Sequence, residues 1–270
     1  MTLSIGELID ADDLDGAVEA LNAEVRRQPT NSALRVQLAE VLAVAGNLER
    51  ADKLLDAVAH QDPSVAITTA LFRQLIRAEE ARQQFYAEGR LPDFVHAPSE
   101  LDQLYLKAIV ALREGDFAGA AALTEEAEAA RPPQTGSADG VAFEDFRDLD
   151  DIAASHLDVL TSTGKFFWIP LRKVISVDLH KPERLRDLLW RRATLSIEEG
   201  PDGEVFLPTV YPFGSELPAA PLRLGHETDF AEQGGGGPIR GSGLRTFLVD
   251  DDAKTALEID RLEFATERSE

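Results

Sequence analysis

The 270-residue chain contains no cysteine, which excludes disulfides and every thiolate metal site. Its five histidines, His60, His96, His156, His180 and His226, are scattered. No two stand four apart, the interval a helical zinc pair requires. No apolar run approaches the roughly 20 residues of a membrane helix. The opening Met1-Thr2-Leu3-Ser4-Ile5-Gly6-Glu7 lacks the basic region and apolar core of a signal peptide. Bases are scarce as well: 27 Lys and Arg against 49 Asp and Glu leave a net charge of −22. Such a field repels phosphate backbones and argues against a nucleic-acid partner. These absences predict a cytoplasmic protein with no membrane segment, no metal and no cofactor.

What is present is a folded composition, 44% hydrophobic and 28% charged, and a period. Ala17 and Ala51, Leu21 and Leu55, Pro29 and Pro63 each stand 34 residues apart. That is the length of a tetratricopeptide-type helical hairpin, which takes a small residue at its tightest packing point and closes on proline. Ala120, Ala127 and Pro132 form a further copy, one residue out of phase after a skipped interval. The spacing predicts helices over Gly16 to Arg27, from Asn31 or Ser32 to Ala45, and over Leu48 to His60, with caps from Asp12, Asp13 or Asp15 and from Asn31 or Ser32. It predicts a longer helix from Val65 to Ala87, with Ile67, Leu71, Leu75 and Ile76 on its stripe. Leu101 to Arg113 and Asp116 to Ala130 rebuild the hairpin around Gly115. Stacked hairpins hold peptides of other proteins, so this half points to binding.

Arg131 to Gly140 reads as a linker by its proline, glycine and serine. Glu144 to Thr163, with Phe146, Leu149, Ile152, Ala153, Leu157 and Leu160 at helical spacing, reads as a connecting helix. From Gly164 the apolar runs are short and divided by proline and glycine: Phe166 to Pro170, Ala193 to Glu198, Glu204 to Tyr211, Leu244 to Val249 and Leu257 to Phe264. They predict strands, Pro201-Asp202-Gly203 a hairpin turn, and Leu171 to Val177 and Pro182 to Leu188 short helices. The expected class is α+β: a tetratricopeptide-like array over 1–131, a linker and connecting helix over 132–163, and a small mixed, mainly antiparallel β domain over 164–270.

Residues 1–150 carry 28 acids against 13 bases, and 151–270 carry 21 against 14. The second half therefore holds the local exceptions to the acidic field. Arg172, Lys173, Arg184, Arg186, Arg191 and Arg192 form a basic stretch, either a docking patch for an acidic partner or, better favoured, a surface that pairs with the acidic first half. Arg223, Glu227, Asp229, Arg240 and Arg245 gather around a glycine-rich segment. A structural ion-pair network is the first reading of these five and an anion- or partner-binding surface the second. Gly234 to Gly243 has no lysine and is followed by a strand-like run, so it reads as a flexible connection rather than a phosphate loop. Ser242 lies outside a nucleophile-elbow pattern, and no histidine follows it. Pairs such as Asp150-Asp151 and Asp250-Asp251-Asp252 read as solvated surface.

Five segments then occur in order: Gly164-Lys165-Phe166-Phe167-Trp168-Ile169-Pro170, Leu188-Leu189-Trp190-Arg191, Val205-Phe206-Leu207-Pro208 with Tyr211, Arg223-Leu224-Gly225-His226-Glu227-Thr228-Asp229-Phe230, and Arg240-Gly241-Ser242-Gly243-Leu244-Arg245-Thr246-Phe247-Leu248. Together they resemble the ImpE family, also called SciE-type or TagJ, accessory proteins of bacterial type VI secretion systems. The family more often has arginine at the His226 position and tryptophan at Phe230. The resemblance implies a non-enzymatic adaptor that binds an amphipathic helix of the small sheath subunit and links the sheath to its disassembly ATPase. Two alternatives stand beside it. One is a hydrolase-like enzyme with Glu227, Asp229 and Arg240 around a pocket, and the other a homodimeric scaffold joined through Trp168 and Trp190.

Overall fold

A computed structural model describes residues 3–214 and 216–265. Seven helices come first: α1 (Ile5–Asp10), α2 (Leu14–Arg27), α3 (Ser32–Val44), α4 (Leu48–Gln61), α5 (Ala66–Glu88), α6 (Glu100–Glu114) and α7 (Phe117–Ala130). Their starts follow from side chains that accept orphan amides of the first turn. Asp13 caps α2, Asn31 α3, Asn47 α4 and Asp116 α7, and Ser99 with Asp102 forms a capping box on α6. The 34-residue interval marks equivalent packing points on the second helix of each hairpin: Ala17, Ala51 and Ala120 are all fully buried, as are Leu21 and Leu55.

In α5 the buried stripe is Thr69, Phe72, Leu75 and Ile76, continuing through Ala78, Glu79, Ala81, Arg82, Phe85 and Tyr86. Ile67, expected on that stripe, is 88% exposed. The stripe continues because α5 packs on α4 and, from Phe72 onward, on the sheet. Packing between α5 and α6 is thin, so the stack opens there before α6 and α7 close a last hairpin.

The remaining chain is β1 (Gly136–Ala138), β2 (Val141–Phe143), β3 (Phe146–Asp148), β4 (His156–Leu160), β5 (Phe166–Pro170), β6 (Val174–Leu179), β7 (Trp190–Ile197), β8 (Gly203–Pro208), the short α8 (Ala220–Leu224), β9 (Thr228–Glu232), β10 (Ile239–Gly243), β11 (Thr246–Val249), β12 (Asp252–Thr255) and β13 (Arg261–Phe264). An eight-stranded antiparallel sheet runs β2-β1-β13-β6-β7-β8-β4-β5. A three-stranded sheet runs β12-β11-β3, and β9 and β10 form a separate hairpin. The short helices expected over Leu171 to Val177 and Pro182 to Leu188 are reduced to 3-10 turns, Leu171–Lys173 and Leu185–Leu188, and Val174 to Val177 instead belongs to β6, paired with β7 and β13.

The helix expected over Glu144 to Thr163 is absent, and local turns contribute to its absence. Asp148 accepts the Asp150 amide and Asp150 accepts the Ile152 amide, side-chain turns that compete with helix. The following strand β4 is buried at every position. Leu157 and Val159 face the second core while Leu160 faces the helices, so the apolar alternation of a half-exposed strand is missing. The glycine-rich segment is likewise not a free connection, since Ile239 to Gly243 is strand β10.

The large sheet lies between two cores. On one side Phe166, Trp168, Trp190 and Phe206 meet Phe72, Phe85 and Tyr86 of α5. On the other, Leu157, Val159 and Leu195 pack with Phe143, Phe146, Phe247 and Phe264. The face shared by α3 and α5 is therefore covered by the second half of the same chain. Leu38 to Val44 of α3 is continuously buried. Arg223 donates to the Ala45 carbonyl at 2.8 Å and His226 contacts Asp12 at 2.7 Å. Leu217 lies on Gly46, whose φ of +81° is the left-handed conformation that favours glycine.

Candidate functional site

The break between α5 and α6 opens into a cleft of about 540 Å³. One wall is helical, with Tyr86 and Ala87 of α5 and Leu112 and Arg113 of α6. The other is built from Tyr211, Pro212, Phe213 and Gly214, from Glu216 and Pro218, and from Gln233 with strand β10. The strand approaches closely because Gly241 has no side chain: a Cβ there would stand 2.3 Å from the Tyr211 ring. Arg240 reaches the cleft with its side chain 19% exposed, its guanidinium carbon 5.4 Å from the Tyr86 ring centre.

Beneath the cleft runs a buried chain of charges. Trp190 Nε1 donates to Glu79, and Glu79 pairs with Arg82 at 3.0 Å. Arg82 donates to Asp158 at 2.8 Å and to the Val210 carbonyl at 2.9 Å. Asp158 also accepts from Tyr86 Oη at 2.9 Å and from Arg245 at 2.6 Å. Arg245 stands 3.4 Å from Asp148, which accepts the Tyr211 hydroxyl at 2.7 Å. Asp150 then accepts Arg240 Nε at 2.7 Å and the Gly241 amide at 3.0 Å. Four carboxylates, Glu79, Asp148, Asp150 and Asp158, thus face three guanidinium groups, Arg82, Arg240 and Arg245.

The excess acid shows in the titration. Burial pushes Asp148 up to about 6, ahead of the opposing field of Arg245 and with the Asp150 charge adding to the rise. Asp158 is lowered: burial acts to raise it, and the joint pull of Arg245 and Arg82 overcomes that. The difference is one of partners, because Asp158 holds two guanidinium hydrogen bonds and Asp148 holds none. The arrangement fixes the sheet against α5, because every member joins residues distant in sequence.

Of the five residues expected to form one network, Arg240 and Arg245 belong to this chain of charges. Arg223 instead ties α8 to the end of α3. Glu227 and Asp229 are exposed, outside the cleft lining, and make no ion pair among the described residues. The carboxylate and arginine grouping of the enzymatic alternative is thus not assembled. Nor is the tryptophan interface of the scaffold alternative: Trp168 and Trp190 are each 1% exposed within the chain.

The basic stretch does not form one patch. Arg172 grips Asp102 of α6 with two hydrogen bonds of 2.8 Å, Lys173 pairs with Glu198, and Arg192 with Glu204. Arg191 is buried in the β domain on Asp260 and three backbone carbonyls besides that of Leu179. Arg186 packs on Phe72 of α5, beside Glu40, whose pKa burial raises, while Arg184 is exposed.

Of the acids of the site only Asp150 reads as solvated surface from the sequence, while Asp148, Asp158 and the α5 charges are not singled out there. One signal was present for the α5 charges. Glu79, Arg82 and Tyr86 occupy the same helical stripe as Phe72, Leu75 and Ile76, and a charge on an apolar face asks for a buried partner.

Comparison with known proteins gives likenesses of sequence and of fold. The model of the "ImpE protein" family matches residues 140–263, and that of a tetratricopeptide repeat matches residues 8–72. A Pseudomonas aeruginosa protein described as type VI secretion system accessory component TagJ is 31% identical over 258 residues, which span 96% of this chain and 90% of that protein. The crystal structure of a Vibrio parahaemolyticus protein superposes with a TM-score of 0.91 over 98% of both chains at 23% identity, a likeness of fold.

Proposed function

The chain belongs to the ImpE family, and on that footing we propose that it serves a type VI secretion system as a non-enzymatic adaptor in the cytoplasm. Its partner in this reading is a helical segment of the small sheath subunit, and the adaptor links the sheath to the disassembly ATPase. The observation that carries the reading is the likeness to TagJ along 96% of the chain. The fold supports it in two ways. Helical hairpins are a recurrent scaffold for holding peptide segments. And with the α3 and α5 face covered, the break between α5 and α6 leaves a recess of about 540 Å³, within the usual range for binding clefts.

The test is calorimetric titration of the full chain with a peptide comprising the N-terminal helix of the small sheath subunit. Saturable one-to-one binding is expected, weakened when Ser242→Tyr narrows the recess. Absence of heat and of co-elution with the intact sheath subunit would overturn the reading.

A further inference from the structure

We propose that the cleft at the α5–α6 break is a carboxylate site in which Arg240 is the cation, and that it receives an acidic side chain or the C-terminus of a bound peptide. The peptide origin rests on the adaptor reading, and the site itself does not.

Arg82 and Arg191 use all their donor groups inside the protein, whereas Arg245, sealed from solvent, makes one hydrogen bond, to Asp158, and leaves its Nε unpartnered. Arg82 donates through Nε, Nη1 and Nη2 to Asp158, Glu79 and the Val210 carbonyl. Arg191 does the same with carbonyls and Asp260. Arg240 differs. Its Nε is shared between the two oxygens of Asp150, at 2.9 and 2.7 Å, while Nη1 and Nη2 make no hydrogen bond among the described residues. The side chain is held by Asp150 on one edge and the Tyr86 ring on a face. Its rotamer is fixed before any ligand arrives, which removes the ordering cost of binding.

Two parallel N–H groups match the two oxygens of a carboxylate. Asp150 already offsets part of the Arg240 charge, and Glu216 stands on the cleft wall. In a chain of net charge −22 that setting suits a monoanion and opposes a dianion such as phosphate. Arg113, exposed on the facing wall, supplies a second positive charge. Leu112 and Phe213 offer apolar surface for the hydrocarbon part of the ligand.

The probe is N-acetyl-glutamic acid α-amide, titrated into the 15N-labelled full-length protein while the Arg240 Nε–H and the Gly241, Ser242 and Gly243 amides are followed. Saturable shifts in the millimolar range are expected. The neutral glutamine analogue and inorganic phosphate should each bind at least about tenfold more weakly. Arg240→Lys keeps a charge beside Asp150 without the fork and should also weaken the probe about tenfold. Ser242→Tyr fills the cleft from the strand, leaves the Arg240–Asp150 pair in place, and should abolish the shifts. An equal response to the glutamine analogue, tighter binding of phosphate, or no response at all would overturn the site.

The sheath peptide separates the two proposals. If the wild-type protein takes up the glutamate probe but not the peptide, the adaptor reading fails and the site stands. If the peptide binds with no loss on Arg240→Lys or on changing each of its acids and its C-terminus to the amide, the peptide origin of the carboxylate fails and the adaptor reading stands.

Discussion

Asp148 is the residue at which the charge arrangement is least balanced. Its carboxyl titrates at about 6 in the folded protein against 3.8 when exposed. Between those values the folded state binds the extra proton, so the contribution of Asp148 is most favourable at low pH and is lost as the pH rises from about 4 to about 6. The full loss amounts to about 3 kcal/mol. Asp148→Asn does not titrate. In urea unfolding at pH 4.5 and pH 7, the stability of the wild type relative to this variant should therefore fall on going to the higher pH. A difference that is unchanged or rises would refute the assignment. Asp102 has the opposite sign. Arg172 and His156 hold it well below the usual carboxylate range against the effect of burial, so its contribution is present above the ordinary value and is lost in acid.

At the scale of elements, the small residues at the hairpin contacts set how near neighbouring helices come. Ala51 has no exposed surface, and Ala51→Leu should overpack α4 at a cost of about 1–3 kcal/mol, read as a lowered urea midpoint with an unchanged slope. These helices were legible in the sequence because their signals are local: a cap, a 3.6-residue stripe and a closing glycine or proline lie within one element. Strands β5, β7, β8, β11 and β13 were legible from their short aromatic and branched runs, whereas β6 reads as the end of a short helix, β10 as a flexible connection, and β9 and β12 carry no strand signal. Phe146 to Leu160 was not legible either. Its apolar residues fall at helical spacing by coincidence, and what holds it extended is a set of partners elsewhere: Arg82 for Asp158, Arg240 for Asp150 and Tyr211 for Asp148. Arg223, Arg240 and Arg245 read as pairing residues by type, whereas the hydrogen-bond and ion-pair partners of their side chains lie 87 or more residues away, as between Arg240 and Asp150 at 90 and Arg245 and Asp158 at 87. No pattern within a window of sequence records a pairing of that range.

At the scale of the whole molecule, the helical half and the sheet share one core. Phe72, Phe85 and Tyr86 sit against Trp168 and Trp190. A fragment ending at Arg131 would expose that surface, and α5 would carry Glu79 and Arg82 without Asp158 or Trp190. Such a fragment should bind a hydrophobic dye and melt without a sharp transition. A cooperative melt matching that of the full chain would show the array to be self-sufficient. Among the described residues no helix is long and apolar enough to cross a membrane.

The covering of α3 and α5 also limits how this architecture can change. A free-standing solenoid gains or loses hairpins at little cost, because each repeat meets only its neighbours. Here a hairpin inserted between α4 and α5 would carry the α5 charges away from β4 while leaving Arg223 and His226 tied to the first hairpins. Repeat number in this half is thereby locked to the dimensions of the sheet. Divergence among such chains is expected in the loops and at the cleft, with the count of helices held constant.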